Sequence, residues 1–134
     1  MSESAESLTR RWFEEVWNQD NEAAIDALML PECKAFGFPD PTGVTDREGF
    51  KEAFRQFRSA FSEVHVTLDD TVSEGNKTAS RWTAVMKHSG DGLGFAPTGE
   101  TVTIHGMSIA EYRDGKLVQG WNALDLTSHV ARLA

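Results

Sequence analysis

The sequence is poor in cysteine, in basic residues and in long apolar runs, and each shortage excludes a class of protein. Cys33 is the only cysteine among 134 residues, so no intramolecular disulfide can form. Lys and Arg number 13 against 21 Asp and Glu, and the resulting net charge of −8 repels phosphate backbones and anionic headgroups. No apolar run approaches the ~20 residues of a membrane span, and the start lacks the apolar core of a signal peptide. We therefore expect a cytoplasmic protein that binds neither nucleic acid nor membranes.

The chain nevertheless contains enough apolar residues for one core. Hydrophobic residues make up 40% of the sequence and charged residues 25%, as in an ordinary globular protein. A length of 134 residues suits a single domain that folds without disulfides or a structural metal. We expect one domain over residues 1–134.

Two helices are predicted at the start of the chain. Apolar residues recur at helical spacing between Ser4 and Asn18, with charged residues largely on the other side. Asp20 is the expected N-cap of a short second helix, whose apolar stripe runs to Met29 before Pro31 stops it.

A third helix follows. Thr45 and Glu48 have the spacing of a capping box, which predicts a helix that begins there. Its apolar face is expected to carry four phenylalanines, namely Phe50, Phe54, Phe57 and Phe61.

The second half of the chain has the pattern of long strands. Four runs form two pairs: 64–72 with 78–88, and 101–112 with 116–126. Turns at Gly75 and Gly115 separate the members of each pair, which predicts two antiparallel hairpins. Because helices precede strands without β-α-β alternation, we expect an α+β domain with helices on one face of an antiparallel sheet.

The glycine-rich segment 89–99 joins two strands, which favours a flexible hairpin or a pocket lid over a phosphate-binding loop.

Several segments, taken in order, resemble the nuclear-transport-factor-2-like (NTF2-like) superfamily and, within it, the SnoaL-like polyketide cyclase group. They are Arg11-Trp12-Phe13, Asp46 to Phe50, Ala96 to Gly99, and the closing Y-R-D-G-K-L-V-Q-G-W-N-A-L-D from Tyr112 to Asp125. The resemblance covers nearly the whole chain. It implies a cone in which the helices pack on a strongly curved sheet, with an apolar cavity at the wide end. It also implies a homodimer paired through the outer face of the sheet.

The segment Phe38 to Gly43 resembles the D-P-x-G segment of ketosteroid isomerases, in which the Asp removes a proton next to a carbonyl. The resemblance gives Asp40 the role of general base. Partial burial against Phe36 and Phe38 would raise the pKa of a carboxylate and make it a better proton acceptor. The alternative is that Asp40 only begins a turn between two prolines.

The SnoaL-like cyclases use an Asp on the last strand and a His on the strand before it as an acid–base pair. Counted from the turn at Gly115, the resemblance places these two roles at Asn122 and Ser108. An amide and a hydroxyl can orient a carbonyl, but they do not titrate near neutral pH. The tyrosine of the isomerases falls at or near Trp12, whose indole N–H is a donor.

The predicted site therefore combines one possible base with an apolar, hydrogen-bonding pocket. Asp40 is the candidate catalytic residue, and the candidate substrate-binding residues are Trp12, Phe54, Phe57, Trp82, Ser108 and Asn122. The four histidines lack metal-ligand spacing, so we expect no metal and no other cofactor.

Three functions are compatible with this pattern. The first is an isomerase- or cyclase-type enzyme that moves a proton on a small hydrophobic carbonyl compound, which Asp40 favours. The second is a non-catalytic binder of the same kind of molecule, which Ser108 and Asn122 favour. The third is a dimeric structural or interaction module.

Overall fold

The computed structural model describes residues 3–134, which form four α-helices and six strands. The elements in chain order are α1 (Ala5–Arg11), a π-helical turn (Trp12–Asn18), α2 (Ala23–Leu28), β1 (Met29–Phe36), β2 (Val44–Thr45), α3 (Arg47–Arg58), β3 (Phe61–Glu74), β4 (Lys77–His88), β5 (Thr101–Arg113), β6 (Lys116–Leu124) and α4 (Leu126–Leu133). The α+β class is confirmed.

The six strands form one curved, open sheet in the order β2-β1-β6-β5-β4-β3. The two predicted hairpins, β3–β4 and β5–β6, are present and antiparallel. The expectation of a fully antiparallel sheet is wrong at one place, because β1 runs parallel to β6. Buried and exposed residues alternate along β4, so one face of the sheet packs on the helices and the other faces outward.

The first helix differs from the prediction in its winding. The Ser4 side chain caps α1 by accepting from the backbone N–H of Ser7 at 3.1 Å. From Trp12 onward the chain is a π-helix, whose i→i+5 hydrogen bonds close a wider turn. Trp12 and Trp17 are five residues apart, so the wider turn brings both to the inner side together with Phe13.

The second helix is shorter than predicted and is not capped by Asp20. Asp20 has a left-handed backbone (φ 51°), and Asn21 supplies the oxygen that accepts from the N–H of Ala23 at 3.1 Å. Met29 begins strand β1, and Pro31 lies within that strand. The missing N–H of Pro31 is tolerated because the register of β1 against β6 is interrupted between Met29 and Lys34.

The third helix begins one residue later than the capping box predicts. Asp46 is the N-cap, because its Oδ1 accepts from the N–H of Gly49 at 2.9 Å. The helix ends at Arg58, so Phe61 belongs to β3 rather than to the phenylalanine face.

The final helix α4 was not predicted. None of the helices among residues 3–134 is long and apolar enough to cross a membrane.

Candidate functional site

A cavity of about 90 Å³ lies between the helices and the inner face of the sheet. The π-helical turn contributes Trp12, Phe13 and Trp17 to its wall, and α3 contributes Phe50 and Phe57. The opposite wall consists mainly of inward-facing residues of β1 and of β3 to β6. The cavity implied by the resemblance is therefore present, and its wall is mainly apolar.

Five of the six predicted substrate-binding residues lie on this wall: Trp12, Phe57, Trp82, Ser108 and Asn122. Phe54 does not, which corrects the prediction for that residue. Its ring packs on Trp17 at 5.1 Å between centroids and lies under the guanidinium of Arg58 at 5.3 Å. Trp17 occupies the wall in its place, because the π-helical turn moves the indole inward. The binding role of the other five stays a prediction.

Three of these residues form a chain of hydrogen bonds across β4, β5 and β6. Trp82 Nε1 donates to Ser108 Oγ at 3.0 Å, and Ser108 Oγ donates to Asn122 Oδ1 at 2.8 Å. Asn122 Nδ2 donates to the carbonyl oxygen of Phe36 at 3.3 Å. Ser108 and Asn122 are direct register partners, because a register shift between Glu111 and Tyr112 moves the pairing by one residue from a straight count at the turn. We call Trp82, Ser108 and Asn122 the polar relay.

The two ends of the polar relay fix the direction of every bond in it. An indole N–H only donates and the carbonyl of Phe36 only accepts, so Asn122 must turn its Nδ2 toward Phe36. Ser108 must then donate to Asn122 Oδ1 and accept from Trp82. One hydrogen of Asn122 Nδ2 has no acceptor among residues 3–134. The relay therefore leaves one amide donor beside an apolar cavity.

Ionisable side chains are scarce on the cavity wall. Within the described chain, Tyr112 is the single titratable residue that lines it. Burial raises the pKa of Tyr112 to about 12, against an opposing hydrogen bond from Thr9. The phenol is therefore protonated at neutral pH. The wall as described can orient a polar ligand atom, but it carries no group that exchanges a proton near pH 7.

Asp40 lies outside the cavity, on an exposed turn. Its Oδ1 accepts from the backbone N–H of Thr42 at 3.0 Å and from the Thr42 hydroxyl at 3.1 Å. Phe38 is buried and lines the cavity, but the chain then turns outward, so Pro39 and Asp40 are exposed. This geometry agrees with the turn-forming alternative. The general-base role of Asp40 stays a prediction for an activity assay.

Three hydroxyl-bearing residues on the wall were missed by the sequence analysis. Thr9, Thr78 and Tyr112 come together at the cavity from α1, β4 and β5. Thr9 is 69 residues from Thr78 and 103 residues from Tyr112, so no local motif marks the cluster. The one available signal is strand alternation, because Thr78 and Tyr112 have the same inward parity as Trp82 and Ser108.

Helices packed on one face of a curved, open sheet around an apolar cavity define the NTF2-like class of folds. A family model described as SnoaL-like polyketide cyclase matches residues 7–133. The chain therefore belongs to the SnoaL-like polyketide cyclase family.

Solved structures agree with this fold. IdmH from Streptomyces antibioticus is 24% identical with a TM-score of 0.84, and the match covers 98% of this chain and 99% of that one. TsrD from Streptomyces laurentii is 26% identical with a TM-score of 0.77, covering 96% and 93%. A SnoaL-like polyketide cyclase from Agrobacterium tumefaciens is 11% identical with a TM-score of 0.76, covering 98% and 99%. No curated protein sequence matches the chain.

Proposed function

We propose that the chain binds a small, mostly apolar molecule with a carbonyl oxygen and holds that oxygen at Asn122. The observation that carries the proposal is the unused amide hydrogen of Asn122 beside an apolar wall. Asn122 is half-buried, so this hydrogen without a partner costs less than the ~1–3 kcal/mol of a fully buried donor, and a ligand carbonyl removes that cost. The apolar body of the ligand adds about 25 cal/mol for each Å² of surface that leaves water.

The volume of the cavity limits the size of a ligand that can bind without any movement of the wall. Its 90 Å³ is smaller than the ~150 Å³ that accommodates benzene in an engineered protein cavity. A larger ligand therefore requires one wall side chain to move. Both tryptophans are partly buried, but Trp17 packs against four other aromatic rings, whereas the one ring among residues 3–134 that packs on Trp12 is Phe50, at 5.4 Å. Trp12 is accordingly the side chain that we expect to swing when a ligand enters.

The wall supports binding and orientation better than proton transfer. Asn122 and Ser108 stand where the family resemblance has an acid–base pair, and neither titrates near neutral pH. Tyr112, with its pKa raised to about 12 by burial, does not supply the missing base. The family's description as polyketide cyclases agrees with a carbonyl-bearing hydrophobic ligand. We therefore favour the binder over the isomerase-type enzyme, which requires Asp40 to act from its exposed turn.

Acetophenone and α-methylstyrene test the proposal, because they differ only by C=O against C=CH₂. We expect acetophenone to bind about 2- to 12-fold more tightly, the value of one net hydrogen bond of ~0.5–1.5 kcal/mol. The Asn122→Leu variant should lose this preference but still bind both compounds. Ser80→Ala is the matched control, since Ser80 lies opposite Ser108 on β4 and bonds to Thr71 instead. Equal affinities for the wild type, or no binding of either compound by NMR titration, would contradict the proposal.

We also propose that two copies of the chain associate through the outer face of the sheet. Register partners on all six strands place one apolar row across that face: Val72, Ala79, Ile109, Trp121, Phe36 and Val44. Ile109 is 46% exposed, and the Phe36 and Trp121 rings stack at 5.8 Å. Both basic and acidic side chains flank the row, and some of them form ion pairs, such as Lys77 with Glu111 at 3.9 Å. A second copy of this acidic chain is therefore met by mixed charge rather than by repulsion alone.

Sedimentation equilibrium tests the association. We expect a dimer for the wild type, a monomer for Ile109→Asp, and a dimer for Thr103→Asp, which adds the same charge on the same face outside the row. A wild type that stays monomeric at high micromolar concentration would remove this proposal.

A further inference from the structure

A second group of polar atoms lines the cavity away from the polar relay. Thr9 Oγ1 lies 2.7 Å from Thr78 Oγ1 and 2.7 Å from the Tyr112 hydroxyl. Thr9, Thr78 and Tyr112 are each at least nine-tenths buried, with exposures of 3%, 2% and 5%. All three border the cavity. We call them the hydroxyl cluster.

The hydroxyl cluster contains one more donor than it uses. Three hydroxyls supply three hydrogens, but the cluster has only two oxygen–oxygen contacts, and each contact uses one hydrogen. Every arrangement of the two bonds therefore leaves one O–H hydrogen over. No other side-chain bond of these hydroxyls occurs among residues 3–134. The spare hydrogen is buried at the cavity wall, and an acceptor inside the cavity would satisfy it.

The hydroxyl cluster and the polar relay stand at separate places along the same wall. Thr78 and Trp82 are four residues apart on β4 with their side chains on the same face, as are Tyr112 and Ser108 on β5. Four residues of strand span about 13 Å between Cα atoms. Between the two groups the walls are aromatic and aliphatic except for the hydroxyl of Ser80, which bonds to Thr71 at 3.2 Å. The cavity therefore offers two hydrogen-bond donor groups separated by a mainly apolar stretch.

We propose that the hydroxyl cluster is a second oxygen-binding subsite, so that the ligand carries one neutral oxygen group near each end of an apolar body. This inference rests on the proposed function, because it assumes that the cavity binds a carbonyl compound. A hydroxyketone, a diketone or a keto ester has the required chemistry. A carboxylate does not, because no Lys, Arg or His of the described chain lines the cavity to balance a buried negative charge.

A water molecule bound at the spare hydroxyl of the free protein would not change which ligand groups the subsite prefers. A ligand oxygen that takes the place of such a water reproduces its hydrogen bond, whereas a methyl group does not. The subsite therefore predicts a preference between ligands that differ at one end only.

The test compares unbranched 2-alkanones with the corresponding hydroxyketones, in which the terminal methyl is replaced by a hydroxyl, over a series of chain lengths. In an apolar cavity without a partner, a buried hydroxyl weakens binding about tenfold or more. With the subsite, we expect this penalty to disappear at one chain length, where the two oxygens match the spacing of the two donor groups. Shorter and longer hydroxyketones should keep the penalty. NMR titration of the wild-type protein measures each pair of dissociation constants.

The variant that removes the subsite is the triple Thr9→Val, Thr78→Val and Tyr112→Phe. Each substitution replaces a hydroxyl with an apolar group of similar shape, and removing all partners together leaves no stranded hydroxyl. We expect the triple variant to show the roughly tenfold penalty at every chain length while it retains the preference for acetophenone over α-methylstyrene. Single substitutions are less informative, because Tyr112→Phe still leaves Thr9 and Thr78 with one spare hydrogen.

The outcomes separate this inference from the proposed function. A wild type that penalises the hydroxyl equally at all chain lengths overturns the second subsite, while its acetophenone preference leaves the Asn122 proposal standing. A wild type that binds none of the ketones overturns both. Because the chain-length series uses only the wild-type protein, the inference is falsifiable even if the triple variant does not fold.

Discussion

Ser108→Ala is the substitution that most directly tests whether the polar relay stabilises the fold. Ser108 is the central member, and its hydroxyl both accepts from Trp82 at 3.0 Å and donates to Asn122 at 2.8 Å. Alanine removes both bonds at once. The indole N–H of Trp82, which is only 7% exposed, then has no acceptor, and Asn122 Oδ1 loses its donor.

The expected cost follows from these two losses. A buried donor left without a partner costs about 1–3 kcal/mol, and the partly buried Asn122 oxygen adds less. We therefore expect a loss of about 2–3 kcal/mol from a total stability of about 5–15 kcal/mol. For a domain of this size the melting temperature should fall by about 6–15 °C.

Urea denaturation followed by tryptophan fluorescence measures the free energy of unfolding. Ser80→Ala is again the control, because Ser80 is also buried but makes one longer bond, 3.2 Å to Thr71. We expect that control to lose about 1 kcal/mol or less. If Ser108→Ala were no more destabilising than Ser80→Ala, the Trp82 N–H would have another acceptor and the relay as described would be wrong.

Three further substitutions test other parts of the account. Burial raises the pKa of Tyr112 from 10.0 to about 12, so the folded chain holds a proton that the unfolded chain has lost, and stability should fall by roughly 2–3 kcal/mol as the pH rises from 10 to 12. Tyr112→Phe, which removes the only tyrosine, should lack that decline in alkaline denaturation curves. Gly106→Ala should cost about 1–3 kcal/mol and shift the near-ultraviolet circular dichroism of tryptophan, because the added Cβ would lie 2.1 Å from the Trp82 ring. Asp40→Asn should leave stability and acetophenone affinity nearly unchanged, because an amide oxygen can still accept from Thr42, whereas a ~10²–10⁴-fold loss of a measured α-proton exchange activity would identify Asp40 as a base after all.

The two hairpins were accessible from the sequence because local signals mark their turns. Their register was not, because a register shift between Glu111 and Tyr112 moves the β5–β6 pairing by one residue. A straight count from the turn at Gly115 would pair Ser108 with Trp121, whereas the structure pairs it with Asn122 and so places both side chains on the inner face. The aromatic spacing of α3 predicted that Phe57 lines the cavity.

Other features have no local signal. The π-helical turn is invisible to a search for a 3.6-residue period, so Trp17 was not among the predicted wall residues. Phe54 was predicted from the aromatic face of α3, but its ring packs on Trp17 and Arg58 instead of bordering the cavity. Met29 continues the apolar stripe of α2 yet begins β1, because pairing with distant β6 overrides the helical pattern. The hydroxyl cluster is assembled only by the fold, since Thr9 meets Tyr112 across 103 residues of sequence.

A crystal structure with acetophenone bound tests the central claim most directly. The account predicts that the ligand lies in the cavity with its carbonyl oxygen about 2.7–3.2 Å from Asn122 Nδ2, and that the relay bonds of Ser108 are intact. Trp12 is expected to have moved to make room for the phenyl ring, while Trp17 stays in place. Acetophenone bound outside the cavity, or inside it with the carbonyl directed away from Asn122, would contradict the account.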